Sequence, residues 1–156
     1  MAGQETVLQN VLDALGPLAV HAVVTTGRSV DAVRLRMPAN AEVHDFLPHD
    51  EVMPTVDLMV CHGGHATTMR ALAHDLPLVV LPVHPAVDMR MIGRSVEQAG
   101  VGRLLARKAT PAQIRTAVEE LLADGPHREA CAKVGARLRA QDGVRLGADA
   151  VEELLS

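Results

Sequence analysis

Apolar residues recur at helical spacing at the start of the chain, as Val7, Leu8, Val11, Leu12 and Leu15, and Gly16-Pro17 ends the pattern. A helix is therefore predicted from Gln4. The period then changes: Leu18 to Val24 is an almost continuous apolar, β-branched run, read as a buried strand that ends in Thr25-Thr26-Gly27. A connector containing Pro38 leads to a shorter strand, Glu42 to Leu47. Pro48-His49-Asp50 opens one helical turn, which Pro54 limits. Val56 to Val60 is the next buried strand, and Gly63-Gly64 turn the chain toward a helix expected to begin at Thr67 and Thr68. Pro77 to Leu81 is a further strand. Met89 to Gln98 reads as a helix with Gly100 in the C-cap position, followed by a short strand, Val101 to Leu105. Thr110, Pro111 and Gln113 make a capping-box-like start for a helix whose apolar face is Ile114, Val118, Leu121 and Leu122. Two more helices, Arg128 to Ala140 and Gly147 to Leu155, complete the chain.

Alternating strands and helices predict an α/β fold: a Rossmann-like, doubly wound parallel sheet covered on both faces, in one domain spanning 1–156. Ligands of such folds sit beyond the carboxyl ends of the strands. The polar loops Thr25 to Gly27, Phe46 to His49, His62 to Thr68 and His84 to Asp88 all fall there. Four loops on one edge predict a single site.

Composition narrows the ligand. The 156 residues are 48% apolar but include no Trp, no Tyr and one Phe, so stacking on aromatics is not a general binding device. The net charge is −4 and no basic block exists to follow a phosphate backbone, which argues against nucleic acid as a partner. Thirteen of the 15 basic residues are Arg, a bias that fits GC-rich coding and points weakly to an actinobacterial source. Two cysteines, Cys61 and Cys131, give no disulfide framework and read as reduced thiols in the cytoplasm. No apolar run reaches the length of a membrane span, and the polar start is no signal peptide.

A strand, a glycine turn and a helix start bearing His and Thr make a cradle for a phosphate or diphosphate. His62-Gly63-Gly64-x-x-Thr67-Thr68-x-x-Ala71-Leu72, then Pro77 to Pro82, then Asp88, resembles the signature of nucleotide-sugar glycosyltransferases of the GT-B fold. The likeness is to the C-terminal, donor-binding domain of actinobacterial enzymes that decorate antibiotics and other secondary metabolites, and it runs from Gln4 to about Leu155. The resemblance implies His62 as a donor to the diphosphate, with Gly64, Thr67 and Thr68 adding backbone and hydroxyl donors. It puts the base against Phe46 and Leu47, and sugar hydroxyls on Asp88; independently of the resemblance, the topology brings Thr26 and Gly27 to the same sheet edge. From the residues alone, Thr67 and Thr68 also read as a helix cap, Phe46 as core, Asp88 as an N-cap and His65 as an exposed turn residue. A metal set of His62, His65 and Asp88 is a weaker alternative, and no cofactor is implied.

Departures from the family pattern matter as much. Arg70 stands where UDP-sugar relatives often carry a Glu that grips both ribose hydroxyls, which tilts the expected donor from UDP toward dTDP. Met89 replaces the Gln of an Asp-Gln pair, which suits a deoxysugar. Ala66 and Asp75 replace usual glycines. The resemblance also implies an N-terminal acceptor domain carrying the general base, and no residue here claims that role; the chain alone is expected to be inactive. The alternatives are a donor-binding subunit of a two-chain transferase and a non-catalytic nucleotide-binding module. Relatives also open this domain with a strand ahead of the helix at Gln4, which Met1 to Gly3 are too short to supply. That strand would lie between Leu18–Val24 and Val56–Val60, so an oligomer or an exchanged element is expected to cover the two edges.

Overall fold

The computed structural model describes residues 2–27, 30–84, 87–141 and 143–155. The helix α1, Ala2–Leu15, leads into β1, Ala22–Thr25, which pairs in parallel with β2, Ala41–His44. A short helix α2, His49–Val52, then leads to β3, Met59–Cys61, α3, His65–Ala73, and β4, Leu78–Val80. After these come α4, Val87–Gln98, β5, Gly102–Leu104, α5, Pro111–Leu122, α6, Pro126–Ala140, and α7, Gly143–Leu155. All ladders are parallel, with register Ala22 to Ala41, Met59 to Leu78 and Leu78 to Gly102. The α/β, Rossmann-like reading holds.

The sheet is in two parts. One holds β1 and β2, the other β3, β4 and β5 in that order. The outer-to-inner sequence β2-β1 and then β3-β4-β5 is a doubly wound order interrupted between β1 and β3. Those strands are not hydrogen-bonded to each other; a cavity of about 1080 Å³ lies between them. Among the described residues β1 and β3 do not close directly on each other.

Several predicted boundaries move, each for a local reason. The strand read as Leu18 to Val24 begins only at Ala22, because the Asn40 side-chain amide takes the Leu15, Leu18 and Val20 carbonyls at 3.1, 3.0 and 3.0 Å. Those groups serve a turn rather than a ladder. The strand read as Glu42 to Leu47 is Ala41–His44, so Phe46 and Leu47 lie in the loop after it. A 3-10 turn, Met53–Thr55, accommodates Pro54 in its first turn, where no N–H is needed, and delays β3 to Met59. The helices α4, α6 and α7 each begin two to four residues before the expected Met89, Arg128 and Gly147. The capping box predicted for α5 is present, with Thr110 Oγ1 accepting from the Gln113 N–H and Gln113 Oε1 accepting from the Thr110 N–H.

Three apolar clusters pack the sheet, the smallest joining Leu12 of α1, Val24 of β1 and Leu35. Val7, Val11 and Leu15 of α1 meet Ile114, Val118 and Leu121 of α5 and the Val79 side of β4. On the other face Leu78 and Val80 meet Ala71 and Leu72 of α3, Val96 of α4 and Cys131 of α6. Among the described residues no helix is long and apolar enough to cross a membrane.

Candidate functional site

The chain after β3 builds the site. Gly63 holds φ +87°, a left-handed conformation that side chains disfavour, and a Cβ there would also meet Val80 Cγ1 at 2.8 Å and the Met89 carbonyl at 3.0 Å. The turn therefore lets the chain pass between β4 and the start of α4. Gly64 follows in extended conformation as the residue preceding α3, and no side chain caps that helix. A Cβ on Gly64 would lie 2.6 Å from His62 Nε2, so the imidazole rests over the bare glycine at the helix mouth. The Thr68 N–H bonds back to the Gly64 carbonyl at 3.0 Å, which leaves the amides of residues 65–67 ahead of the helical ladder. Open N–H groups, the positive end of α3, the exposed His62 ring and the half-buried Thr67 hydroxyl converge at one corner. That corner suits an anion with several oxygens.

Chain comparison decides the family. The C-terminal domain of the erythromycin biosynthesis protein CIII-like family matches residues 9–148. The chain belongs to that family. Demethyllactenocin mycarosyltransferase of Streptomyces fradiae is 34% identical over 77% of this chain and 26% of its own length. The 4'-demethylrebeccamycin synthase of Lentzea aerocolonigenes is 33% identical over 97% of this chain and 35% of its own. Among solved structures, a calicheamicin glycosyltransferase superposes with a TM-score of 0.85 at 29% identity, covering 97% of this chain and 38% of that one. The kitacinnamycin glycotransferase gives 0.83 at 32% identity, covering 95% and 39%. The chain is thus a Rossmann-like domain that matches the C-terminal part of GT-B glycosyltransferases. It spans about a quarter to two-fifths of the length of these relatives.

In this GT-B domain the remaining candidate residues divide into those that reach the sheet edge and those that do not. Thr26 is buried at the end of β1 and lines the cavity, with its N–H on the His44 carbonyl at 3.1 Å. Gly27, at φ +59°, has open space around it and donates to the Asp45 carbonyl. Phe46 is 77% exposed, which removes the reading of it as core. Leu47 beside it is half-buried. Asp88 is exposed in the first turn of α4 and accepts from the Met89 N–H at 2.9 Å. Since α4 begins at Val87, Asp88 is inside the helix and not its N-cap. His65 is exposed but opens α3 rather than standing in a turn, and the helix begins two residues before the expected Thr67. Part of the His84–Asp88 loop, Pro85 and Ala86, and the two residues after Gly27, Arg28 and Ser29, lie outside the described residues. Among the described residues no three His, Cys, Asp or Glu side chains group to hold a metal ion.

Thr68 requires correction. Its side chain is 0% exposed and its N–H is already used within the helix, so it cannot serve the diphosphate. It faces inward on α3, where its hydroxyl has no hydrogen-bond partner of ordinary geometry but lies close enough to Cys61 to favour the thiolate. Burial outweighs that hydroxyl and the Gly63 amide, and pushes the Cys61 thiol up. Three other features were not visible in the sequence. Arg70 pairs with Asp50 of α2, Nε to Oδ1 3.4 Å, which ties α3 to the short helix that follows the Phe46 loop. Asp75 takes a left-handed φ of 60° just past α3 and pairs with Arg139, Nη1 to Oδ1 2.8 Å. That position is a helix terminus remote from the cradle, so the loss of glycine there is answered locally. The close fit of His62 over Gly64 was foreshadowed only by the Gly-Gly doublet.

Proposed function

We propose that this domain holds the donor of a glycosyltransferase: a nucleoside-diphosphate sugar, dTDP-linked in preference to UDP-linked, carrying a deoxysugar destined for a secondary-metabolite acceptor. The observation that carries this reading is the uncapped start of α3 with His62 resting over Gly64, a built anion corner at the carboxyl edge of the sheet. His62, Thr67 and the α3 amides hold the diphosphate and stabilise the charge it gains on leaving. Exposed Phe46 covers the base, and Thr26 and Gly27 border it. Asp88 takes sugar hydroxyls, and the apolar Met89 beside it suits a ring with fewer of them. Arg70, occupied by Asp50, offers no carboxylate to a ribose 2′-hydroxyl, which supports the dTDP preference. Two of the relatives are named for transfer of mycarosyl and rhamnosyl groups.

The acceptor and the base that deprotonates it belong, in this reading, to a separate N-terminal domain or partner chain. The domain alone turns nothing over. Calorimetric titration with dTDP, UDP and ADP tests the reading. The expected result is measurable dTDP binding with UDP no tighter and ADP weaker. Tighter UDP binding, or acceptor-dependent dTDP release by the purified single chain, would overturn the nucleotide preference or the division of labour respectively.

A further inference from the structure

The start of α4 is seated against the rest of the site through glycines. Val80, the last residue of β4, stands opposite Cys61 of β3 and Leu104 of β5, so these side chains share one face of the sheet. The helix α4 packs on that face. A Cβ on Gly93 would lie 2.5 Å from Leu104 Cδ1 and 3.2 Å from Val80 Cγ1. The same Val80 methyl would lie 2.8 Å from a Cβ on Gly63, whose other close neighbour is the Met89 carbonyl at 3.0 Å. One buried methyl therefore fills the space that both glycines leave. Gly63 belongs to the anion turn, and Gly93 lies one helical turn beyond Met89. Gly93 is inside α4 and outside the left-handed region, so its missing side chain is a matter of space, not of backbone conformation. Val80 is 0% exposed and reaches no ligand itself. These contacts alone put Asp88 and Met89 beside the anion corner.

We infer that Val80, with Gly63 and Gly93 on either side of its methyl, sets the spacing between the anion corner and the first turn of α4, and so how a sugar on the diphosphate is held. Val80 and Gly93 are positioning residues: they touch no substrate and act through Asp88 and Met89. The inference rests on the proposed donor reading, in which the sugar extends from the diphosphate onto Asp88. The diphosphate is held by His62, Thr67 and the α3 amides, all on the segment that follows β3. The sugar is held by α4. A change in the seat of α4 therefore separates sugar recognition from nucleotide recognition. Binding groups work only when held within about 0.5 Å of their productive position. A Cβ placed 2.5 Å from a methyl must move out by about 1 Å to reach ordinary contact, a shift that Leu104 and α4 share.

Calorimetric titration of the whole chain with dTDP and with dTDP-rhamnose tests this. Gly93→Ala should weaken dTDP-rhamnose at least about threefold relative to dTDP, whose own affinity should stay within about twofold of the parent's. Adding Leu104→Val, which removes the methyl at 2.5 Å, should recover most of that ratio. Val80→Ala withdraws the shared methyl from both contacts and should lower the ratio as well, which keeps the test open should Gly93→Ala fold poorly. An unchanged ratio in folded variants that bind dTDP normally, or a lowered one that Leu104→Val does not restore, would overturn the inference and leave the donor reading standing. Failure of the parent to bind either ligand would overturn the donor reading, and amide resonances of the unliganded chain then decide the spacing. There Gly93→Ala should move the Gly63 and Met89 signals together, with Thr26 and Gly27 unmoved, and Leu104→Val should return them. A shift confined to α4 would overturn the inference.

Discussion

The two halves of the sheet differ in how completely they are buried. In the β3–β5 half, the strand β4 has a neighbour on each side, and Leu78, Val79 and Val80 are all 0% exposed. In the β1–β2 half, only Ala22 and Val24 of β1 are buried, and β2 has no fully buried residue. The residues are similar in kind, so the difference lies in the neighbours. A strand bonded on both edges can sink both faces into helices, whereas β1 borders the cavity and keeps one edge without a partner strand. The anion corner is built on the closed half. The loops that would hold a base and ribose come from the open half, and the two meet across the cavity.

The largest test of that contrast is Gly63→Val. It forces a side chain into φ +87° and against Val80 and the Met89 carbonyl. The expected loss is about 3–5 kcal/mol in a urea titration, from backbone strain and overpacking together. A variant as stable as the parent would mean that the closed half is not packed as described. A gentler pair compares the halves directly. Leu78→Ala, at a fully buried site, should lose about 3 kcal/mol, and Val23→Ala, beside the cavity, about 1 kcal/mol or less. Equal losses would erase the distinction.

The closed half also carries both thiols, and this sets a pH signature. Burial raises the Cys61 thiol and pushes Cys131 up to about 11. The unfolded chain releases these protons from roughly pH 8.5, while the folded chain still holds them, so stability should fall as pH rises. The contribution is complete below pH 8 and disappears as pH climbs through about 11. Urea midpoints at pH 8, 9 and 10 should fall in order, and Cys131→Ala should flatten the slope. A slope unchanged by that substitution would assign the alkaline loss to other groups. The smallest effect belongs to the exposed Arg70–Asp50 pair between α3 and α2. A double-mutant cycle should give a coupling of about 0.5 kcal/mol, reduced by salt. A coupling above about 2 kcal/mol would make the pair a structural tie rather than a surface contact.

How far the sequence anticipated this molecule depends on the range over which each signal acts. The Thr110 capping box and the Gly16-Pro17 stop were legible because their chemistry is contained in four residues. The parallel order was legible from alternating periods and short loops. The start of β1 was not, because Asn40, about twenty residues away, takes the carbonyls that an apolar run would have put in a ladder. Thr68 was misread for a related reason. A Thr pair at a helix start looks equally polar at both positions, yet one turn of α3 puts Thr67 at the mouth and Thr68 against Cys61. Phe46 shows the converse: its reading as core failed because β2 ends at His44 and leaves it exposed in the following loop.

The central claim is that His62, over the open start of α3, grips a diphosphate. Calorimetric titration of dTDP against the parent chain and His62→Ala tests it most directly. The exposed imidazole contributes little to packing, so the variant should keep the parent's unfolding midpoint. It should lose about 1.5–3 kcal/mol of dTDP binding, the range for a hydrogen bond to a charged group. A folded variant with an unchanged dissociation constant would contradict the account, and would leave His62 as no more than the cover of Gly64.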